Sequence, residues 1–149
     1  MLNASRVKYL LVGGHAVSHY SNPRFTADLD IWIERAPANA KRVWRALAEF
    51  GVPSHLFSLR DLTGVNKVIQ IGVEPNRIDV LTGVAGLEFA DAWERRVEST
   101  FGGLPTLYLS KEDLIRNKLA SGRPQDLLDV SMLEHAKPRE DPVRKKRKK

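Results

Sequence analysis

Residues 27–34 read Ala-Asp-Leu-Asp-Ile-Trp-Ile-Glu, and residues 7–14 read Val-Lys-Tyr-Leu-Leu-Val-Gly-Gly. The first stretch alternates strictly, with Leu29, Ile31 and Ile33 on one side and Asp28, Asp30 and Trp32 on the other. A period of two belongs to a strand with one face on a core. The second stretch is apolar, rich in β-formers and halted by two glycines, which reads as a buried strand entering a tight turn. Working outward, Ala16–Tyr20 is expected to be a short helix closed by Ser21-Asn22-Pro23. Ala38–Phe50 carries Val43, Ala46, Leu47 and Phe50 at helical spacing and stops at Gly51. Lys67–Gly72 and Arg77–Leu81 are predicted as the strands of a hairpin. Ser110 caps a predicted helix that Gly122 ends, and Pro124 opens another reaching about His135. The expected class is α/β, a mixed sheet flanked by helices.

The chain has 149 residues, 42% hydrophobic and 28% charged. That is one domain's worth of ordinary globular sequence. The absence of cysteine excludes disulfides, iron–sulfur clusters and thiolate zinc sites, and it fits a cytoplasmic location. No apolar run approaches the roughly 20 residues that cross a bilayer, so no membrane association is expected. The net charge of +6 equals the charge of the last six residues, Arg144–Lys149, so residues 1–143 are balanced. The expected division is a folded domain over 1–136 and a basic tail without fixed structure over 137–149.

Asp28 and Asp30 project from one face of a strand, a few ångströms apart by strand geometry. Like charges that close are costly unless a cation lies between them. Mg2+, a hard ion that takes carboxylates together with substrate phosphates, suits the pair. Asp79 alternates with Ile78 and Val80, so it faces away from the core on a strand able to lie beside 27–34. Three acids on one face can hold two metals roughly 3.5–4 Å apart and serve an attacking and a departing oxygen. The competing reading makes them solvent-facing strand acids paired with Arg24 or Arg77. Gly13-Gly14, between strand and helix, lets a ligand approach the backbone and opens the helix N–H groups to an anion.

Taken together, Tyr9-Leu-Leu-Val-Gly-Gly-His-Ala-Val17, Pro23-Arg-Phe-Thr-Ala-Asp-Leu-Asp-Ile-Trp32, Arg77-Ile-Asp-Val-Leu81, Leu109–Lys118 and Gly122–Asp129 resemble the nucleotidyltransferase superfamily of the DNA polymerase β type. Within it, the chain is similar to the small prokaryotic branch of minimal nucleotidyltransferases and AbiEii-type toxins. The resemblance implies a polymerase β-like fold and transfer of a nucleoside monophosphate from a nucleoside triphosphate to an acceptor hydroxyl on RNA or protein, releasing pyrophosphate. It implies Mg2+, with Mn2+ as an alternative, on Asp28, Asp30 and Asp79, and assistance by Asp79 in deprotonating the acceptor. Gly13 and Gly14 would cradle the triphosphate, Lys118 would reach a phosphate, and Asp126 would orient that lysine. A toxin–antitoxin setting with a cognate partner follows from the same likeness. The rival expectation is a toxin–antitoxin component acting mainly by binding its partner, with weak or no catalysis.

Other residues carry structural expectations. His15 and His19 are four apart, a metal-ligand spacing, yet lack the glutamate of zinc helices. Trp32, Trp44 and Trp93 are expected in the core. Without the resemblance, Lys118 reads as a snorkelling lysine and Asp126 as a first-turn helix acid. Arg24 and Thr26 are expected to serve a salt bridge and a strand start. The basic tail suits either nucleic-acid backbone or solubility.

Overall fold

The computed structural model describes residues 6–21, 28–72 and 77–136. The expected tail, Arg24, Thr26 and the turn of the predicted hairpin lie outside the described residues.

Six strands form one mixed sheet in the order β3-β4-β2-β1-β6-β5. The strands are β1 (Tyr9–Val12), β2 (Leu29–Ile33), β3 (Val68–Ile71), β4 (Ile78–Leu81), β5 (Val97–Phe101) and β6 (Leu104–Tyr108). The helices are α1 (Gly13–Tyr20), α2 (Pro37–Phe50), α3 (Leu59–Thr63), α4 (Phe89–Glu94), α5 (Lys111–Ser121) and α6 (Pro124–His135). β2 runs antiparallel to β1 and parallel to β4, and that parallel pairing sets Asp30 directly across from Asp79. β3 and β4 pair antiparallel, as the hairpin expectation requires.

The alternation in β2 sorts its two faces. Ile31 and Ile33 join Val80 and Ile78 against Val43, Leu47 and Val52, so α2 covers the apolar face. Pro37 in the first turn starts α2, and Gly51 ends it in a left-handed conformation, φ +105°. Buried Asn39 ties α2 to the sheet: it accepts from the Lys8 N–H at 2.8 Å and donates to the Lys8 and Glu34 carbonyls at 3.0 and 2.7 Å. On the opposite face Trp32 is buried edge-on against Phe89, which stacks on Trp93. Trp32 thus lies in the core as expected, while Trp44 and Trp93 are only partly buried and pack against it.

Two regions differ from the sequence reading, which assigned no element to 53–66 or 82–109. α3 sits in the first, held by a reciprocal cap between Ser58 and Asp61. In the second, β5 and β6 form a hairpin through Gly102 and Gly103, both at positive φ, the demand of a tight two-residue turn. Pro105 sits in β6 opposite Thr100, beyond Leu11↔Tyr108, where β6 meets β1. A proline there removes no ladder bond to the central strand.

Candidate active site

The C-terminal end of β1 meets the start of β2 and β4 at one place. β1 ends at Val12, which lies opposite Asp30, and the chain turns at once into α1. Gly13 makes that turn at φ +70°, and a Cβ there would run into the Asp30 carboxylate, 2.9 Å from its Cγ. Both the backbone angle and the contact therefore require glycine. No side chain caps the N-terminus of α1, so the first-turn N–H groups of Gly13 and Gly14 remain open to an anion.

Asp28 immediately precedes β2, and Asp30 and Asp79 are neighbours across the β2–β4 pair. The Leu29 N–H donates to the Arg77 carbonyl at 3.0 Å, which locks the two strand starts in register. Arg77, two residues before Asp79, projects to the same side. Its Nε donates to Asp79 Oδ1 at 2.8 Å and its Nη2 to Asp79 Oδ2 at 3.2 Å, while Nη2 also lies 3.1 Å from Asp28 Oδ2. Arg77 thus bridges Asp28 and Asp79, the pairing of the competing reading, and Asp30 stands across the strand pair from Asp79.

The Asp30 carboxylate has no hydrogen bond or ion pair among the described residues. Burial, then the charges of Asp79 and Asp28, push its pKa from 3.8 up to about 6, against the opposing pull of Lys118 and Arg77. Asp28 Oδ1 is buried without a hydrogen-bond partner. An orphaned carboxylate oxygen beside an uncompensated carboxylate suits a hard divalent cation, which oxygen donors of this kind bind. Among the described residues no group of three or more His, Asp or Glu is gathered as a metal site, and the cation shared by Asp28 and Asp79 is Arg77.

Lys118 is buried on α5, its Nζ 3.3 Å from Asp126 Oδ1 and 3.3 Å from Asp129 Oδ2 on α6. Asp126 also accepts from Arg123 Nε at 2.8 Å. Burial works to raise the pKa of Asp126, and the hydrogen bonds from Arg123 and Lys118 overcome it and hold the carboxyl below its usual value. Asp129 is a residue the sequence reading missed. Its signal was the spacing of three from Asp126, which places both acids on one helix face. His15 and His19 make ring contacts instead, His15 edge-on to Phe101 and His19 stacked on Tyr108. Burial lowers the His15 pKa, so the ring is neutral at pH 7.

No helix among the described residues is long and apolar enough to cross a membrane. No curated protein matches the chain by sequence. Among solved structures the fold is similar to the lincomycin-bound crystal structure of the lincosamide antibiotic adenylyltransferase LnuA, with a TM-score of 0.53, 16% identity and 90% of each chain covered. That likeness bears on fold, and it agrees with the polymerase β-like expectation. A model of the family described as nucleotidyltransferases of unknown function (DUF6036) matches residues 1–136, which include every described residue, and the chain belongs to that nucleotidyltransferase family.

Proposed function

We propose that this nucleotidyltransferase uses Mg2+, or Mn2+ in its place, to move a nucleoside monophosphate from a nucleoside triphosphate onto a hydroxyl of RNA or protein. The observation that carries the reading is the carboxylate set at the β2–β4 start, with Asp30 uncompensated and Asp28 Oδ1 orphaned. Asp28, Asp30 and Asp79 would hold the cation, which when bound supplies charge neutralisation at the acceptor and departing oxygens.

The protein's own groups supply position. The open N–H groups of α1 receive phosphate oxygens beside Gly13, where the missing Cβ leaves the backbone accessible. Asp79 takes the proton of the acceptor hydroxyl. The acceptor oxygen forms its bond to the α-phosphorus as the bond from that phosphorus to the bridging oxygen breaks, and pyrophosphate departs with the electron pair. Lys118, anchored by Asp126 and Asp129, lends positive charge to the phosphates, and its field already reaches Asp30. Positioning and electrostatic stabilisation are the main sources of rate for phosphoryl chemistry of this kind.

A toxin–antitoxin setting is supported by the likeness of the motifs to the AbiEii-type branch. The partner-binding reading draws on Leu119, Leu127 and Leu128, which are exposed on the last two helices. The two are separated by incubating the protein with Mg2+ and each α-labelled nucleoside triphosphate, with RNA and with protein extract as acceptors. Label transfer that vanishes in Asp30→Asn supports catalysis. Transfer unaffected by Asp30→Asn refutes the site assignment, and a biological effect that survives Asp28→Ala favours partner binding.

A further inference from the structure

We propose that Arg77 is a built-in counter-cation that the incoming metal–nucleotide must displace, so that its release couples metal binding to nucleotide binding. The inference rests on the nucleotidyltransferase reading and concerns how its site is kept folded and then opened. Without a cation, three carboxylates face one another at the start of β2 and β4. The Arg77 fork grips Asp79 through Nε and Nη2, at 2.8 and 3.2 Å, and Nη2 also reaches Asp28 Oδ2 at 3.1 Å. Its side chain is about one-quarter exposed, so the pairs are shielded from bulk water.

These carboxylate oxygens are the ones a divalent cation needs. Charge-assisted fork bonds are among the stronger protein hydrogen bonds, so the guanidinium competes with the metal for them. Asp28 Oδ1 and Asp30 stay outside the fork. The cation therefore has a partial foothold, and the remaining ligands come only when Arg77 lets go. A triphosphate arriving with the metal offers the displaced guanidinium oxygens matched to its planar fork. Metal alone meets the full competition; metal with nucleotide gives Arg77 somewhere to go.

The test is Mn2+ binding to the intact chain, followed by electron paramagnetic resonance, with and without a nonhydrolysable triphosphate. In wild type, the triphosphate should tighten Mn2+ binding markedly. In Arg77→Met, Mn2+ alone should bind about tenfold tighter than in wild type, the order expected when a charge-assisted competitor is removed. The added effect of triphosphate should shrink with it. Arg77→Lys, which keeps the charge without the fork, should fall between the two and serves if the Met variant does not fold. Unchanged Mn2+ affinity in Arg77→Met, with only a lower melting temperature, overturns the proposal in favour of a structural arginine. Weaker affinity overturns it too, since Arg77 would then be organising the acids for the metal. No Mn2+ binding by wild type or variants under either condition overturns this proposal together with the metal-dependent reading of the site, whereas the first two outcomes leave that reading intact.

Discussion

Replacing Asp30 by Asn should make the metal-free protein more stable at neutral pH, although it removes a carboxylate of the proposed site. The folded protein holds a proton on Asp30 up to about pH 6, whereas the unfolded chain releases it near 3.8. Between those values the native state binds more protons than the unfolded state, so the unfolding free energy falls as pH rises through the window and stays lower above it. A displacement of roughly two on the pH scale sets a ceiling of about 3 kcal/mol. Asp30 is only half-buried, and solvent screening reduces this to about 1.5 kcal/mol. Asn has nearly the same shape and no charge, so it removes the penalty. Urea denaturation in EDTA, repeated from pH 3.5 to pH 8, should show the variant level with wild type at the acid end. By pH 7.5 it should be about 1.5 kcal/mol more stable, which for a chain of this size raises the melting temperature by about 3–6 °C. Adding Mn2+ should narrow the difference by stabilising wild type alone. If Asp30→Asn is no more stable at pH 7.5, or if its advantage does not change with pH, the account of an uncompensated carboxylate is wrong.

Gly13→Ala must place a Cβ at φ +70° against the Asp30 carboxylate, so stability should drop by about 1–2 kcal/mol and label transfer by at least about tenfold, measured together by urea titration and nucleotide transfer. Lys118→Met removes a cation 3.3 Å from both buried Asp126 and buried Asp129 and should cost about 3 kcal/mol, with Asp129→Asn in the same chain recovering part of the loss in denaturation midpoint. Asn39→Ala removes three hydrogen bonds that fasten α2 to the residue before β1 and to the residue after β2, and should lower stability by about 2–3 kcal/mol on thermal melting while the Mn2+ affinity stays at its wild-type value.

How much of this was legible in the sequence depends on range. The faces of β2 followed from alternation alone, because side-chain direction along a strand is a local property of the backbone. The boundaries of α2, α5 and α6 followed from Pro37, Gly51, Ser110, Gly122 and Pro124, each of which acts within one turn of the helix it starts or stops. α4 escaped because Phe89–Glu94 is too short for a helical period to repeat, and it is held by Phe89 and Trp93 packing toward Trp32. The β5–β6 hairpin carried its signal in Gly102-Gly103, which went unread beside a strand containing Pro105. The partners of Lys118 lie on a second helix, and only the packing of α5 on α6 brings them within 3.3 Å.

The site shows the same division at finer grain. That Asp28 and Asp30 share a face is local, and that a glycine precedes α1 is local. That Asp79 stands across from Asp30 depends on β4 pairing parallel to β2 rather than lying at a sheet edge, and no periodicity within 78–81 encodes a neighbour nearly 50 residues away. The chain does encode the consequence, through Arg77. A strand bringing a third carboxylate to two others adds repulsion to every native contact it makes, and a cation two residues earlier on the same face travels with the acid it offsets. Arg-Ile-Asp at 77–79 thus carries charge compensation inside the segment that creates the need for it, and the β2–β4 pairing can form without a bound cation. Asp30, with no ion pair of its own among the described residues, is left with the fields of Lys118 and Arg77 as its only opposing pull, and these do not offset burial and the charges of Asp79 and Asp28.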